Sequence, residues 1–258
     1  MNVKELLSLK GKVILVTGGA GNYGKCIVKG LAEAESTVIT ASRNIESGEA
    51  FASQCRADGL DVCAMKVDQA DHESVAQLRE QIDKKFSGLD ALVNNAVARP
   101  TTGYESSLES FDVSLKVNGT GVFDLTREMC KLIEKRGGGA IVNIASMMGM
   151  FGPDLSNYDG TDMGDLAPDY FFHRAGMINY TRYLARFLAK KNIRANCISP
   201  GGLFNHQDPV FVKTYNKKVP VGRMADNDDI KGLAVLLASD ASAYINGENI
   251  LMDGGMHC

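Results

Sequence analysis

GKVILVTGGAGNYG, residues 11–24, decides the fold. Lys12 to Val16 is a short apolar run that passes directly into glycines, and a helix is expected to begin near Tyr23. Such a run, bounded by glycine, reads as a fully buried strand; strand, turn and helix together open a βαβ unit of a parallel sheet. The same turn makes a phosphate site. Glycine lets the backbone come close to a pyrophosphate, and free N–H groups at the helix start, with the positive end of the helix dipole, favour the negative charge. Gly18, Gly21, Asn22, Tyr23 and Gly24 are therefore candidate dinucleotide contacts. A glycine pattern alone is equally a plain tight turn, so the reading depends on the elements downstream of it.

Those elements supply the context. Lys25 to Glu35 continues as a helix with Ile27, Val28 and Leu31 on one face, and Ser36 to Ala41 is a β-branched strand. Helix Glu46 to Asp58, strand Asp61 to Val67, helix Glu73 to Phe86 and strand Ala91 to Asn94 repeat the alternation. Further along, the pattern predicts a long helix from Leu108 to Lys135, a strand from Ala140 to Ser146 and a helix from Tyr170 to Lys191. Strands Asn192 to Ile198 and Asn249 to Met252 complete the set. Strands alternating with helical patterns predict a doubly wound α/β fold, a parallel sheet of about seven strands with helices on both faces. No linker or repeat divides residues 1–258, so one domain is expected.

Composition narrows the function. A net charge of −3 on 258 residues gives no electrostatic footprint for nucleic acid or an anionic membrane. No apolar run reaches membrane-spanning length, and MNVKELLSLKGK lacks the apolar centre of a secretion signal, so a cytoplasmic setting is expected. The six cysteines and four histidines show no metal-ligand spacing; free thiols in a reducing compartment and no metal are expected.

In doubly wound sheets, ligands bind beyond the carboxyl ends of the strands. The second strand is followed by Ser42 and Arg43. An acidic residue there would bind the ribose 2′-hydroxyl of NAD, whereas a neutral residue and an arginine suit the 2′-phosphate of NADP. NADP(H) is the expected cofactor, with NAD(H) the alternative. Asp68, after the third strand, is a candidate acceptor for the adenine amino group, and Asn95 and Ala96, after the fourth, are small and polar beside the cofactor.

TGGAGNYG at 17–24, VD at 67–68, NNA at 94–96, KVNGTGVF with Asn118, IVNIAS ending at Ser146, SPGG at 199–202 and LMDGG at 251–255 together resemble the short-chain dehydrogenase/reductase family. The resemblance covers nearly the whole chain in the family's order. It implies a Rossmann fold, a nicotinamide cofactor, a small-molecule substrate, a homotetramer or homodimer, and an Asn-Ser-Tyr-Lys catalytic set. Asn118, Ser146 and Tyr170 match three of these, with Asn118 fixing a water and Ser146 polarising the substrate oxygen. By the same resemblance Pro200 and Gly201 lie by the nicotinamide, and Asn205 takes the place of a threonine that contacts the cofactor.

Three departures qualify the resemblance. Asn22 replaces a glycine of the turn. Two tyrosines compete as partner of Ser146: Tyr158 is followed by Asp162, Tyr170 by Arg174. Tyr170 is preferred because the expected helix starts there and residues 170 and 174 share one helix face. Residues 153–168, with Asp154, Asp159, Asp162 and Asp165, then form an inserted loop. This loop is either a lid selecting a polar, sugar-like substrate or a solvated excursion, and residues 203–218 form a substrate flap. Lastly, Arg174 stands where the family has lysine. It supplies the fixed cation that lowers a tyrosine pKa, yet it does not deprotonate. These residues read as an NAD(P)-dependent oxidoreductase interconverting a carbonyl and a secondary alcohol, with Tyr170 as acid/base. A silenced cofactor-binding sensor is the competitor.

Overall fold

Val13–Thr17 is β1 in a computed structural model that describes residues 1–258, and all five of its residues are buried. Alternate side chains leave opposite faces of a strand, so a continuous apolar run can serve two cores at once. Ile14 and Val16 join Ile27, Val28, Leu31, Phe51 and Leu237 on one side of the sheet. Val13 and Leu15 join Ile39, Leu78, Leu125, Met129 and Leu184 on the other.

A short helix α1 (Val3–Leu7) precedes β1, and α2 (Asn22–Glu33), β2 (Thr37–Ser42), α3 (Ile45–Ala57), β3 (Val62–Lys66), α4 (His72–Phe86) and β4 (Ala91–Asn94) come after it. The second half runs through α5 (Leu108–Leu115), α6 (Val122–Lys135), β5 (Gly139–Ile144), α7 (Pro168–Phe187), β6 (Ile193–Pro200), α8 (Pro209–Lys218), α9 (Lys231–Ala238) and β7 (Asn249–Met252). The seven strands lie in the order β3-β2-β1-β4-β5-β6-β7, and every pairing is parallel. This is the expected Rossmann-type sheet. The chain winds outward from β1 to β3 and then returns to lay β4 on the other side of β1, with Ile14 opposite Ala91 and Val16 opposite Val93. That reversal is the switch point, and a crevice opens at its carboxyl end.

The structure corrects several boundaries. The helix expected over 108–135 is broken by a π-helical turn, Lys116–Gly121, between α5 and α6. Gln69 explains where the turn sits: its Nε2 donates to the Val117 carbonyl at 3.0 Å. Its own carbonyl is so close to Gly121 that a Cβ there would lie 2.2 Å from the oxygen. β5 ends at Ile144, and Ser146 instead caps a 3₁₀ turn, its Oγ accepting from Met148 N at 3.1 Å. Pro168, expected to end the inserted loop, is the first residue of α7, a position where its missing N–H costs nothing. Helices α1, α9 and α8, which falls within the segment read as a flap, are not foreseen from the sequence. All six cysteines are free, and burial pushes the thiols of Cys130 and Cys197 up to about 12 and about 11. No helix is long and apolar enough to cross a membrane.

Leu92 is fully buried and pairs in register with Leu15 and Ile141. Leu92→Ala removes its contacts and leaves a cavity in the central sheet. It should cost about 2–5 kcal/mol, read as a lower urea midpoint at unchanged slope.

Candidate active site

The glycine turn is built as a cradle. Gly18 has φ +64°, and a Cβ there would meet Ala96 Cα at 3.0 Å; one on Gly24 would lie 2.2 Å from the Gly18 carbonyl oxygen. Both positions therefore require glycine. Asn22 is exposed and is the first residue of α2, so a side chain is accommodated there. Gly21 at the N-cap offers no side-chain acceptor, which leaves the first N–H groups of α2 for a ligand. The turn is lashed to β4. Thr17 Oγ1 accepts from the backbone N–H groups of Asn95 and Ala96 at 3.1 Å each, and Asn95 Nδ2 donates to the carbonyls of Thr17 and Gly18 at 3.0 and 3.1 Å. The Asn95 side chain thus holds the turn in shape.

A cavity of about 1250 Å³ begins at Ser42, Arg43 and Asp68, passes the glycine turn, Asn95 and Ala96, and ends among Ser146, Tyr170, Arg174, Pro200, Gly201 and Asn205. Every expected cofactor contact lines it. Its length along the switch point, the glycine cradle and the unpaired N–H groups fit a dinucleotide. Arg43 is exposed and makes no hydrogen bond or ion pair. Asp68 Oδ1 accepts from Ala70 N at 3.0 Å, which fixes the carboxylate at the cavity wall.

Tyr170 stands at the far end, in the first turns of α7. Burial alone would raise its phenol, but the Arg174 and Arg99 cations and a hydrogen bond from Ser146 outweigh burial and hold it below its ordinary value. The Arg174 Cζ lies 4.9 Å from the Tyr170 ring centroid and that of Arg99 4.3 Å from it. Arg174 is 4% exposed, its Nη1 donates to the Ile144 carbonyl, and its Nε has no partner. An unpartnered buried N–H is a donor open to a ligand. Tyr158 also lines the cavity, but burial pushes its phenol up with no cation to oppose the effect. Of the two tyrosines, only Tyr170 has surroundings that favour its ionised form.

Asn118 does not line the cavity. Its carboxamide is taken up by the loop after β4: Oδ1 accepts from Ala98 N at 2.9 Å, and Nδ2 donates to the Ala98 carbonyl at 2.8 Å and to Ser114 Oγ at 2.9 Å. Both protons of that amide and one of the two lone pairs on its oxygen are thus taken up by protein partners. Behind it lies a buried network that the sequence does not announce. Ser114 donates to Asp169, which is fully buried and also accepts from Thr101; His173 Nε2 is 2.9 Å from Ser114 Oγ. With the serine proton given to Asp169, its two lone pairs accept from Asn118 and from a His173 that carries its proton on Nε2. Burial lowers the His173 pKa, in keeping with a neutral ring.

The inserted loop lines the cavity at Tyr158, Met163, Gly164 and Asp165, and Tyr158 packs on Phe211 of α8 with ring centroids 5.1 Å apart. Lys218 of α8 binds Asp154 Oδ2 and Ser156 Oγ at 2.6 Å each. Of the loop's four aspartates only Asp165 reaches the cavity.

A family model described as enoyl-(acyl carrier protein) reductase matches residues 19–257. A 3-oxoacyl-(acyl-carrier-protein) reductase of Aquifex aeolicus is 32% identical over 256 residues, covering 97% of this chain and 99% of its own. The chain belongs to the short-chain dehydrogenase/reductase family. A second member, the D-threitol dehydrogenase of Mycolicibacterium smegmatis, is 34% identical over 96% of this chain and 93% of its own. The crystal structure of a gluconate 5-dehydrogenase from Burkholderia cenocepacia, in complex with NADP and tartrate, superposes with a TM-score of 0.89 at 25% identity, covering 99% of this chain and 98% of that one. Membership makes the protein an NAD(P)-dependent oxidoreductase, which the relatives favour over a silent sensor. Within the family frame, the residues that sequence reasoning missed are Arg99, Thr101, Ser114, Asp169 and His173. Arg99 alone carried a positional signal, standing just beyond the carboxyl end of β4.

Asp169→Ala would strip Thr101 and Ser114 of their acceptor in a dry interior. Thermal unfolding should show a loss of about 1–3 kcal/mol, and an unchanged melting profile would show that the network contributes nothing net.

Proposed function

We propose that this chain is an NADP(H)-preferring dehydrogenase/reductase that interconverts a carbonyl and a secondary alcohol on a polar, sugar-derived substrate. The observation that carries the reading is Tyr170, its phenol favoured toward ionisation by Arg174, Arg99 and Ser146, at the inner end of the cavity that starts at the glycine turn. A bound nicotinamide supplies the hydride for reduction or takes it up in oxidation. Ser146 would hold the substrate oxygen by hydrogen bonding, and Tyr170 would give that oxygen its proton in reduction or remove it in oxidation. Arg174 would stabilise the tyrosinate and offer its free Nε to a ribose hydroxyl, while Asn118 would set the position of the loop after β4. The insert at 153–167 and the flap at 203–218 would close over the substrate.

The cofactor preference rests on Arg43, free just after β2 and flanked in the chain by the neutral Ser42 and Asn44. The NADP-bound gluconate 5-dehydrogenase structure supports the same choice, and the polyol and sugar-acid dehydrogenases among the relatives support the substrate class. A cytoplasmic setting and a homotetramer or homodimer complete the proposal. Phe123, Tyr183 and Phe187 leave an exposed aromatic face on α6 and α7 for subunit contact.

Tyr170→Phe should lower turnover by about 10²- to 10⁴-fold while leaving NADPH affinity nearly intact, measured by steady-state rates and fluorescence titration. Substantial residual turnover would overturn the role of Tyr170. Arg43→Asp should reverse the ratio of NADPH to NADH affinity. In the oxidation direction the rate should rise with pH as Tyr170 ionises, and Arg174→Met, which removes a cation, should move that rise to higher pH.

A further inference from the structure

Charge at the substrate end of the cavity is one-sided. Two guanidiniums, those of Arg99 and Arg174, lie against the Tyr170 ring, and neither takes part in an ion pair. The one carboxylate of the inserted loop that lines this region, Asp165, sits against Gly103, where an added Cβ would be 2.9 Å from its Oδ2. It makes no ion pair with Arg99. Asp68, the other acidic residue of the cavity, follows β3, at the cavity's opposite end.

Arg174 is enclosed and holds a backbone carbonyl, so its place is fixed. Arg99 is different. It is exposed, hydrogen-bonds to nothing, and its guanidinium lies over the ring that would meet the substrate oxygen. With no hydrogen bond or ion pair made, its N–H fork is free for a planar two-oxygen anion. Two like charges sharing one ring without a counter-ion also favour an incoming negative group.

We infer that Arg99 anchors a carboxylate of the substrate, so that the site takes hydroxy and oxo acids of the sugar-acid type in preference to neutral polyols. This rests on the proposed reading of Tyr170 as the residue facing the reacting oxygen. With the carboxylate on Arg99, the carbon that exchanges hydride is a short carbon chain away, beside Tyr170 and Ser146. Arg99 then sets both which substrates bind and which hydroxyl of the chain is presented.

The test is calorimetric titration of the NADP-saturated protein with two matched pairs, D-gluconate against D-glucitol and threonate against threitol, with D-glucitol 6-phosphate as a further probe. In the wild-type protein the acid of at least one pair should bind about tenfold or more tightly than its alditol, the range of one charge-assisted contact. Arg99→Gln should reduce that ratio to near one, and Arg99→Lys should keep part of it. NADPH affinity and thermal unfolding of each variant control for folding.

Equal affinities within both pairs, no binding by either acid, or a preference untouched by Arg99→Gln would overturn the proposal. So would tighter binding of the phosphorylated alditol than of gluconate, which would assign the arginine to a phosphate. Turnover is measured separately. A carboxylate preference in a protein that turns over no alcohol or carbonyl would leave Arg99 as an anion anchor and remove the oxidoreductase mechanism assigned to Tyr170.

Discussion

The short bridge between β1 and β4 is the contact on which the rest of the site depends. One threonine hydroxyl, that of Thr17, receives two backbone N–H groups, and one amide, that of Asn95, returns two hydrogen bonds to the strand that carries Thr17. Parallel strands at a switch point diverge, because their connections leave in opposite directions. At that divergence a polar clasp fixes how far the glycine turn stands from the end of β4, where Ala96 comes against Gly18. Since the glycine turn faces one end of the cavity and the loop after β4 leads to Ala98 and Arg99, the clasp also sets the distance between the glycine turn and Tyr170.

A second polar ladder stiffens the same region from behind. Asn94 donates to Asn143 across β4 and β5, and Asn143 donates to Thr181 on α7, all in buried surroundings. Together with the Ser114 and Asp169 network, this ties α7 both to the sheet and to the loop after β4. Tyr170 and Arg174 therefore sit on a helix whose rotation is fixed from two sides. The proton transfer proposed for Tyr170 gains from such rigidity, because it depends on the phenol and its neighbouring cations being held in one geometry.

The sheet was legible in the sequence because buried parallel strands are written as continuous apolar runs, and VILVT, TVITA and ALVN have no competing periodicity. The glycine turn was legible for a related reason: a turn packed against another strand end, as Gly18 is against Ala96, leaves no room for side chains, and glycines record it. The short helix KGLAVLLA was not read, since a brief apolar run suits a strand or a buried helix equally. The roles of Arg99, marked only by its place beyond a strand end, and of Asp169 were hidden for a deeper reason. An arginine in a loop and an aspartate at a helix start are common, and only tertiary packing places one over the Tyr170 ring and the other against Thr101 and Ser114.

The π-helical turn between α5 and α6 has a bearing on how this segment can change over time. Each residue of a regular helix advances the chain by about 100°, so removing one residue from 116–121 would swing Asn118 about a quarter-turn away from Ala98. Adding one would swing it the other way. Side chains such as the exposed Thr120 are free to drift, but the number of residues is locked by the loop that Asn118 holds and by the backbone of Gln69 against Gly121. In this stretch, chain length is under tighter constraint than residue identity.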